Sequence, residues 1–114
     1  MLPIDSLQFY HELANSLKAF LDLSDQDVQP ILGDLILCLE GQLLTLHDAM
    51  AAGDQAVIGK KLEEIALMAH RLHGRAIAAF QKACATLAED SPERRLQLEE
   101  LLELVAIVKR HHFT

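Results

Sequence analysis

His70 and His73 stand three residues apart, with Gly74 directly after the second, in the run MAHRLHGRAIAAF at 68–80. Imidazole is the side chain whose ordinary pKa, near ~6.5, leaves it an uncharged nucleophile close to neutrality. Such a ring can take up a phosphoryl group, and a second imidazole beside it can hold that group's oxygens. Arg71 and Arg75 flank the pair and Ile77 follows one turn later. The surrounding apolar residues repeat at helical spacing, which predicts that all of these residues lie on one helix. Gly costs roughly 1 kcal/mol relative to Ala inside a helix, so Gly74 needs a reason. Beside an exposed imidazole it gives another protein room to approach without a clash. On this reading Gly74→Ala leaves the fold intact or slightly more stable.

The element carrying these residues is one of four amphipathic segments. The first runs from about Asp5 to Asp22, with Leu7, Tyr10, Leu13, Ala14, Leu17, Phe20 and Leu21 on one stripe. Ser24 and Asp27 can cap the next start, and Pro30 suits a first turn. The second segment runs from about Gln29 to Ala52. Its seam is Leu32, Leu35, Leu39, Leu43, Leu46 and Met50, widened by Ile31, Ile36, Leu37 and Leu44, which predicts a central helix. Gly53 reads as the residue past its end and Asp54 as the next N-cap.

The third segment is predicted to run from Asp54 to about Glu89. Ile58, Leu62, Ile65, Ala69, Leu72, Ala76, Ala79 and Ala83 step along it by four and three. His70 lies about 100° around from the seam residue Ala69, on the side shared by Glu63, Ala66, Leu67, His73, Gly74 and Ile77. Ser91-Pro92-Glu93 reads as N-cap and first turn of a fourth segment, which carries Leu98, Leu101, Val105 and Val108 to the basic end VKRHHFT. His111 and His112 read as a frayed terminus. The expected fold is therefore all-α, an antiparallel up-and-down four-helix bundle, as one domain over 1–114.

Charge and composition narrow the function. The 114 residues carry a formal charge of −7 and no basic run longer than two, so no nucleic-acid partner is expected. Asp34, Glu40 and Asp48 interrupt the longest apolar stretch, which argues against a membrane span of ~18–20 residues. MLPIDSLQFY lacks a basic stretch followed by an apolar one, so no signal peptide is expected and the chain is read as cytoplasmic. Cys38 and Cys84 lie within apolar helical patterns and read as buried thiols. His70 and His73 as zinc ligands would need a third or fourth partner, for which His11, His47 and Glu63 are the candidates. No spaced His or Cys pair supports such a site, so no metal is expected. Gly33, Gly41 and Gly59 also fall within helical patterns, where close helix packing is a sufficient reason for a glycine.

The run AHRLHGRA at 69–76 resembles the phosphoacceptor motif of histidine-containing phosphotransfer domains. That family's signature is Ala-His-x-Leu-Lys-Gly followed by small residues, on a four-helix bundle. AMAAGD at 49–54 is similar to the helix break that commonly precedes it. The resemblance implies that His70 is the phosphoacceptor and Leu72 a buried anchor. It puts His73 in place of the usual lysine and makes Gly74 the clearance glycine, with Arg71, Arg75 and Ile77 around the phosphate or the docking surface. It implies a cytoplasmic phosphorelay of the two-component type, with a response-regulator receiver domain or hybrid sensor kinase as partner. The chain then has no autonomous catalysis and no cofactor. Mg²⁺ and the acceptor Asp belong to the partner receiver domain.

A second reading is a non-enzymatic helical binding module. Flagellar or type III secretion export chaperones also resemble this chain, as acidic, Leu-rich helical hairpins with an AAGD turn and a long following helix. An apolar face then binds a client helix and His70 is incidental. The same leucine excess would suit a homodimer.

Overall fold

The structure, a computed structural model, describes residues 3–114. Met1 and Leu2, which begin the segment read above as no signal peptide, lie outside the described residues. Those described form five helices and no strand: α1 (Ser6–Leu21), α2 (Val28–Ala52), α3 (Gln55–Ala69), α4 (Arg75–Thr86) and α5 (Arg94–His112). The expectation of four helices is corrected here. The segment predicted to run unbroken from Asp54 to Glu89 is two helices, α3 and α4, joined by an elbow at 70–74.

Most ends are set by local caps. Asp5 Oδ1 accepts the Gln8 N–H at 2.9 Å and starts α1. Ser24 Oγ accepts the Asp27 N–H at 3.1 Å ahead of α2. Gly53 closes α2 in the left-handed conformation, and Asp54 accepts the Val57 N–H at 3.2 Å to start α3. The last start is later than expected. Glu93, not Ser91, is the N-cap of α5, and the Ser91 carbonyl accepts the Arg94 N–H at 3.2 Å. The buried Arg94 side chain then donates to Gln55 Oε1 at 3.2 Å, linking the first turns of α5 and α3.

α2 packs against α1, α3 and α5, and α4 against α1, α3 and α5. Leu32, Ile36, Leu39, Leu43 and Leu46 of α2 are buried against Leu98, Leu101, Val105 and Val108 of α5 and against Ile58 and Ile65 of α3 within one core. Each such side chain contributes about 1.5–3 kcal/mol of burial. By length and composition alone, α2 is long and apolar enough to cross a membrane, despite its interrupting acids. Only 28% of its most apolar stretch is buried among the other helices. Leu37 and Leu44, expected to widen its seam, are instead exposed at 44% and 49%.

The C-terminal histidines are not frayed. α5 stays helical through His112, whose Nδ1 lies 2.9 Å from the Tyr10 hydroxyl. The His111 ring meets Tyr10 edge-on at 4.7 Å between centroids. His112 packs closely on Gly33: a Cβ there would lie 2.9 Å from His112 Nε2, so the ring would have to shift. Cys38 is also corrected. It is exposed, with its sulfur 3.8 Å from that of Met68, whereas Cys84 is buried as expected.

Candidate functional site

The elbow gathers the singled-out residues, in a geometry that a continuous helix would not produce. His70 is the C-cap of α3, still in helical conformation, with its N–H on the Leu67 carbonyl at 3.3 Å and its side chain exposed. Arg71 follows, exposed, its guanidinium carbon 4.6 Å from the centre of the Phe20 ring. Leu72 turns inward and is buried at 7% exposure. His73 is exposed, but its backbone is held on both sides by α1. Its N–H donates to Ser16 Oγ at 2.9 Å, and that hydroxyl donates to the His73 carbonyl at 3.2 Å.

Gly74 is not inside a helix. It is the N-cap of α4 with φ +146° and ψ 166°, a region that is essentially reserved for glycine. The space in front of it is also taken. A Cβ at this position would overlap the Glu12 carboxylate. Gly74 thus admits a side chain of this same chain, which replaces the expectation that it clears space for a partner. It also overturns the expectation that Gly74→Ala is neutral or stabilising.

A glycine N-cap offers no side chain to the free amides of the first turn, and none caps α4 locally. Glu12 does so from α1. Its Oε1 accepts the Ile77 N–H at 3.0 Å, and Gln8, one turn earlier, donates to Oε2 at 2.8 Å. Burial alone would raise the Glu12 carboxyl. The hydrogen bonds from the Ile77 N–H, the Gln8 amide and the Ala76 and Arg75 N–H groups outweigh it and hold the group below the usual glutamate range. On the other side of the elbow, Gln81 of α4 donates to the Ala69 carbonyl at 2.9 Å, satisfying the open end of α3.

His70, Arg71 and His73 line one open groove of about 750 Å³ with Asn15, Ser16, Ala19 and Phe20 of α1. None of these lining residues carries a carboxylate, in a chain of net charge −7. Arg75, in the first turn of α4, is exposed but does not line the groove. Ile77 is corrected outright: at 1% exposure it belongs to the core, and only its N–H serves the elbow. Sequence reasoning missed Glu12, Ser16, Phe20 and Gln81. The visible signal was the polar spacing of Gln8, Glu12 and Ser16 along one face of α1.

Among the described residues no group of three His, Cys, Asp or Glu side chains comes together to hold a metal ion. His11 lies beside Tyr10, and His47 beside Asp48 at 3.7 Å. Comparison of the chain with family models, curated proteins and solved structures finds no match.

Proposed function

We propose that this chain is a histidine phosphotransfer protein, with His70 as the phosphoacceptor of a cytoplasmic two-component phosphorelay. The observation that carries the reading is the exposed His70 imidazole at the end of α3, in a carboxylate-free groove shared with Arg71 and His73. The AHRLHGRA motif is the second support. α3 and α4 are then the two halves of one interrupted helix in an antiparallel four-helix arrangement.

The chemistry is a displacement at phosphorus. The lone-pair nitrogen of neutral His70 attacks the phosphorus of an aspartyl phosphate on the partner receiver domain. The N–P bond forms as the P–O bond to the aspartate breaks, and the carboxylate leaves with that electron pair. The other ring nitrogen gives its proton to water. A receiver's Mg²⁺ and Asp remain on the partner, and the reaction runs in reverse to pass the group on. His73 and Arg71 supply donors to the phosphoryl oxygens, as charge-assisted hydrogen bonds.

The test is incubation with a phosphorylated receiver domain, followed by an assay of acid-labile phosphate on the chain. Wild type takes up phosphate and His70→Gln takes up none while unfolding normally. Uptake that survives His70→Gln ends the reading.

A second reading, a helical binding module such as a flagellar or type III secretion export chaperone, is favoured by a separate observation. Leu37 and Leu44, one heptad apart on α2, and Leu67 on α3 at 74% are exposed apolar side chains. Client binding or homodimer formation lost on Leu37→Asp or Leu44→Asp, and indifferent to His70→Gln, would mark that alternative.

A further inference from the structure

The elbow at 70–74 lies in a segment whose apolar seam continues in phase through it, from Ile65 and Ala69 to Leu72 and Ala76. Nothing in that local pattern ends a helix at His70. The contacts that hold the break come largely from α1. We propose that Glu12 is the positioning residue for His70: its carboxylate caps α4 from outside, fixes the elbow, and so fixes the direction in which the imidazole is presented.

Three observations carry this. The first is that α4 has no cap of its own, because its N-cap is Gly74. The first amides of a helix have no partner within it, and the Ile77 N–H finds Glu12 Oε1 at 3.0 Å, with the Ala76 and Arg75 amides also turned to that carboxylate. The second is reciprocity. Gly74 occupies a backbone region closed to other residues, and the volume of its missing Cβ holds the Glu12 side chain. The third is the support behind the carboxylate. Gln8 orients Oε2 at 2.8 Å, and Ser16, one turn beyond Glu12, grips the His73 backbone. Glu12 therefore acts on His70 through the backbone of 71–77, without lining the groove that His70 shares. A site held by supporting hydrogen bonds presents its reactive atom more sharply than one on a free loop.

The consequence for phosphate transfer rests on the reading of His70 as phosphoacceptor, whereas the latch itself is read without it. The experiment compares wild type with Glu12→Gln, Glu12→Asp and Glu12→Ala. It follows amide exchange at Arg75, Ala76 and Ile77, the ring resonances of His70, and phosphate uptake from a phosphorylated receiver. Glu12→Gln keeps an acceptor oxygen at the same reach and retains most of the wild-type behaviour. Glu12→Asp keeps the charge but is one methylene short, so it behaves like Glu12→Ala. Both raise exchange at these amides by about five- to tenfold, the size of a lost helix cap, shift the His70 ring signals and slow phosphate uptake. Wild-type exchange and ring signals in Glu12→Asp and Glu12→Ala would overturn the proposal, as would Glu12→Gln as impaired as Glu12→Ala. Should Glu12→Ala not fold, the charge-retaining Glu12→Asp decides. A wild-type chain that takes up no phosphate refutes the phosphoacceptor reading alone, and the amide and ring signals still judge Glu12.

Discussion

One hydroxyl, Ser16 Oγ on α1, both accepts the N–H and donates to the carbonyl of His73, 57 residues further along the chain. Ser16 is buried at 8% exposure. Truncating it removes both hydrogen bonds to the backbone of the exposed His73, and a hydrogen bond of this kind is worth about 0.5–1.5 kcal/mol net. We expect Ser16→Ala to lower the free energy of unfolding in urea by that amount and to speed amide exchange at His73. A change of less than a few tenths of a kcal/mol would show that solvent replaces the hydroxyl without loss.

Gly74→Ala should destabilise the protein by about 1–3 kcal/mol, because φ +146° lies in a region that costs a non-glycine residue this much. Overlap with Glu12 adds to the strain. Part of the loss should therefore be recovered in the double variant with Glu12→Ala, which vacates that volume. Gly41→Ala is the contrasting case. It sits exposed in α2 with nothing within 4 Å of the new methyl group, and should stabilise by up to about 1 kcal/mol. Urea unfolding of the four chains checks the order. Equal effects at positions 41 and 74 would mean that the elbow is helical in solution.

The Glu12 carboxyl is held below its ordinary range by hydrogen bonds that outweigh its burial. A carboxyl lowered on folding contributes stability that is present above its unfolded pKa, about 4.3, and is lost as pH falls through the folded value. Stability should thus decline below about pH 4.3, and Glu12→Gln, which keeps an acceptor oxygen but has no charge to lose, should flatten that decline. Asp25 beside Lys18 and Glu64 beside Lys61 are lowered in the same direction by hydrogen bonds from their lysines, so some acid sensitivity remains in the variant. Urea unfolding at neutral and acid pH measures both effects. An identical pH profile for Glu12→Gln would exclude the Glu12 charge as a source of that acid sensitivity.

The two thiols should separate cleanly in a reactivity assay. Cys38 is exposed, while burial pushes the Cys84 thiol up to about 12. The thiolate is the reactive form. A disulfide reagent should therefore label one thiol per native chain, lost on Cys38→Ser, and the second only on unfolding. Prompt labelling of Cys84 in the native chain would show that the core around α4 opens readily.

Helix starts at Asp5 and Asp54, and the stop at Gly53, were legible in the sequence because each cap lies within three residues of the amide or carbonyl it serves. The core residues of α3 and α4 were legible for a related reason. Ile58, Ile65, Ala69, Leu72 and Ala76 are buried as their spacing predicts, because an apolar repeat reports which side faces inward. It does not report whether the backbone stays helical between repeats. His70 was legible as an exposed ring and Leu72 as its buried neighbour.

The elbow itself was decided by the tertiary structure. Its amides are capped by Glu12, 65 residues before Ile77, and its loop is gripped by Ser16, 57 residues before His73. Neither bond leaves a mark in the local sequence of 68–80. Gly74 carried the one local signal, and it is ambiguous: a glycine that makes room for a partner and a glycine that adopts a positive φ look the same in one dimension. The choice between them was made by the approach of α1, which places a carboxylate where a side chain at 74 would have been. The docking of His112 on Gly33 was hidden for the same reason. Close approach between two helices depends on their crossing in space, whereas caps and seams depend only on neighbours along one of them.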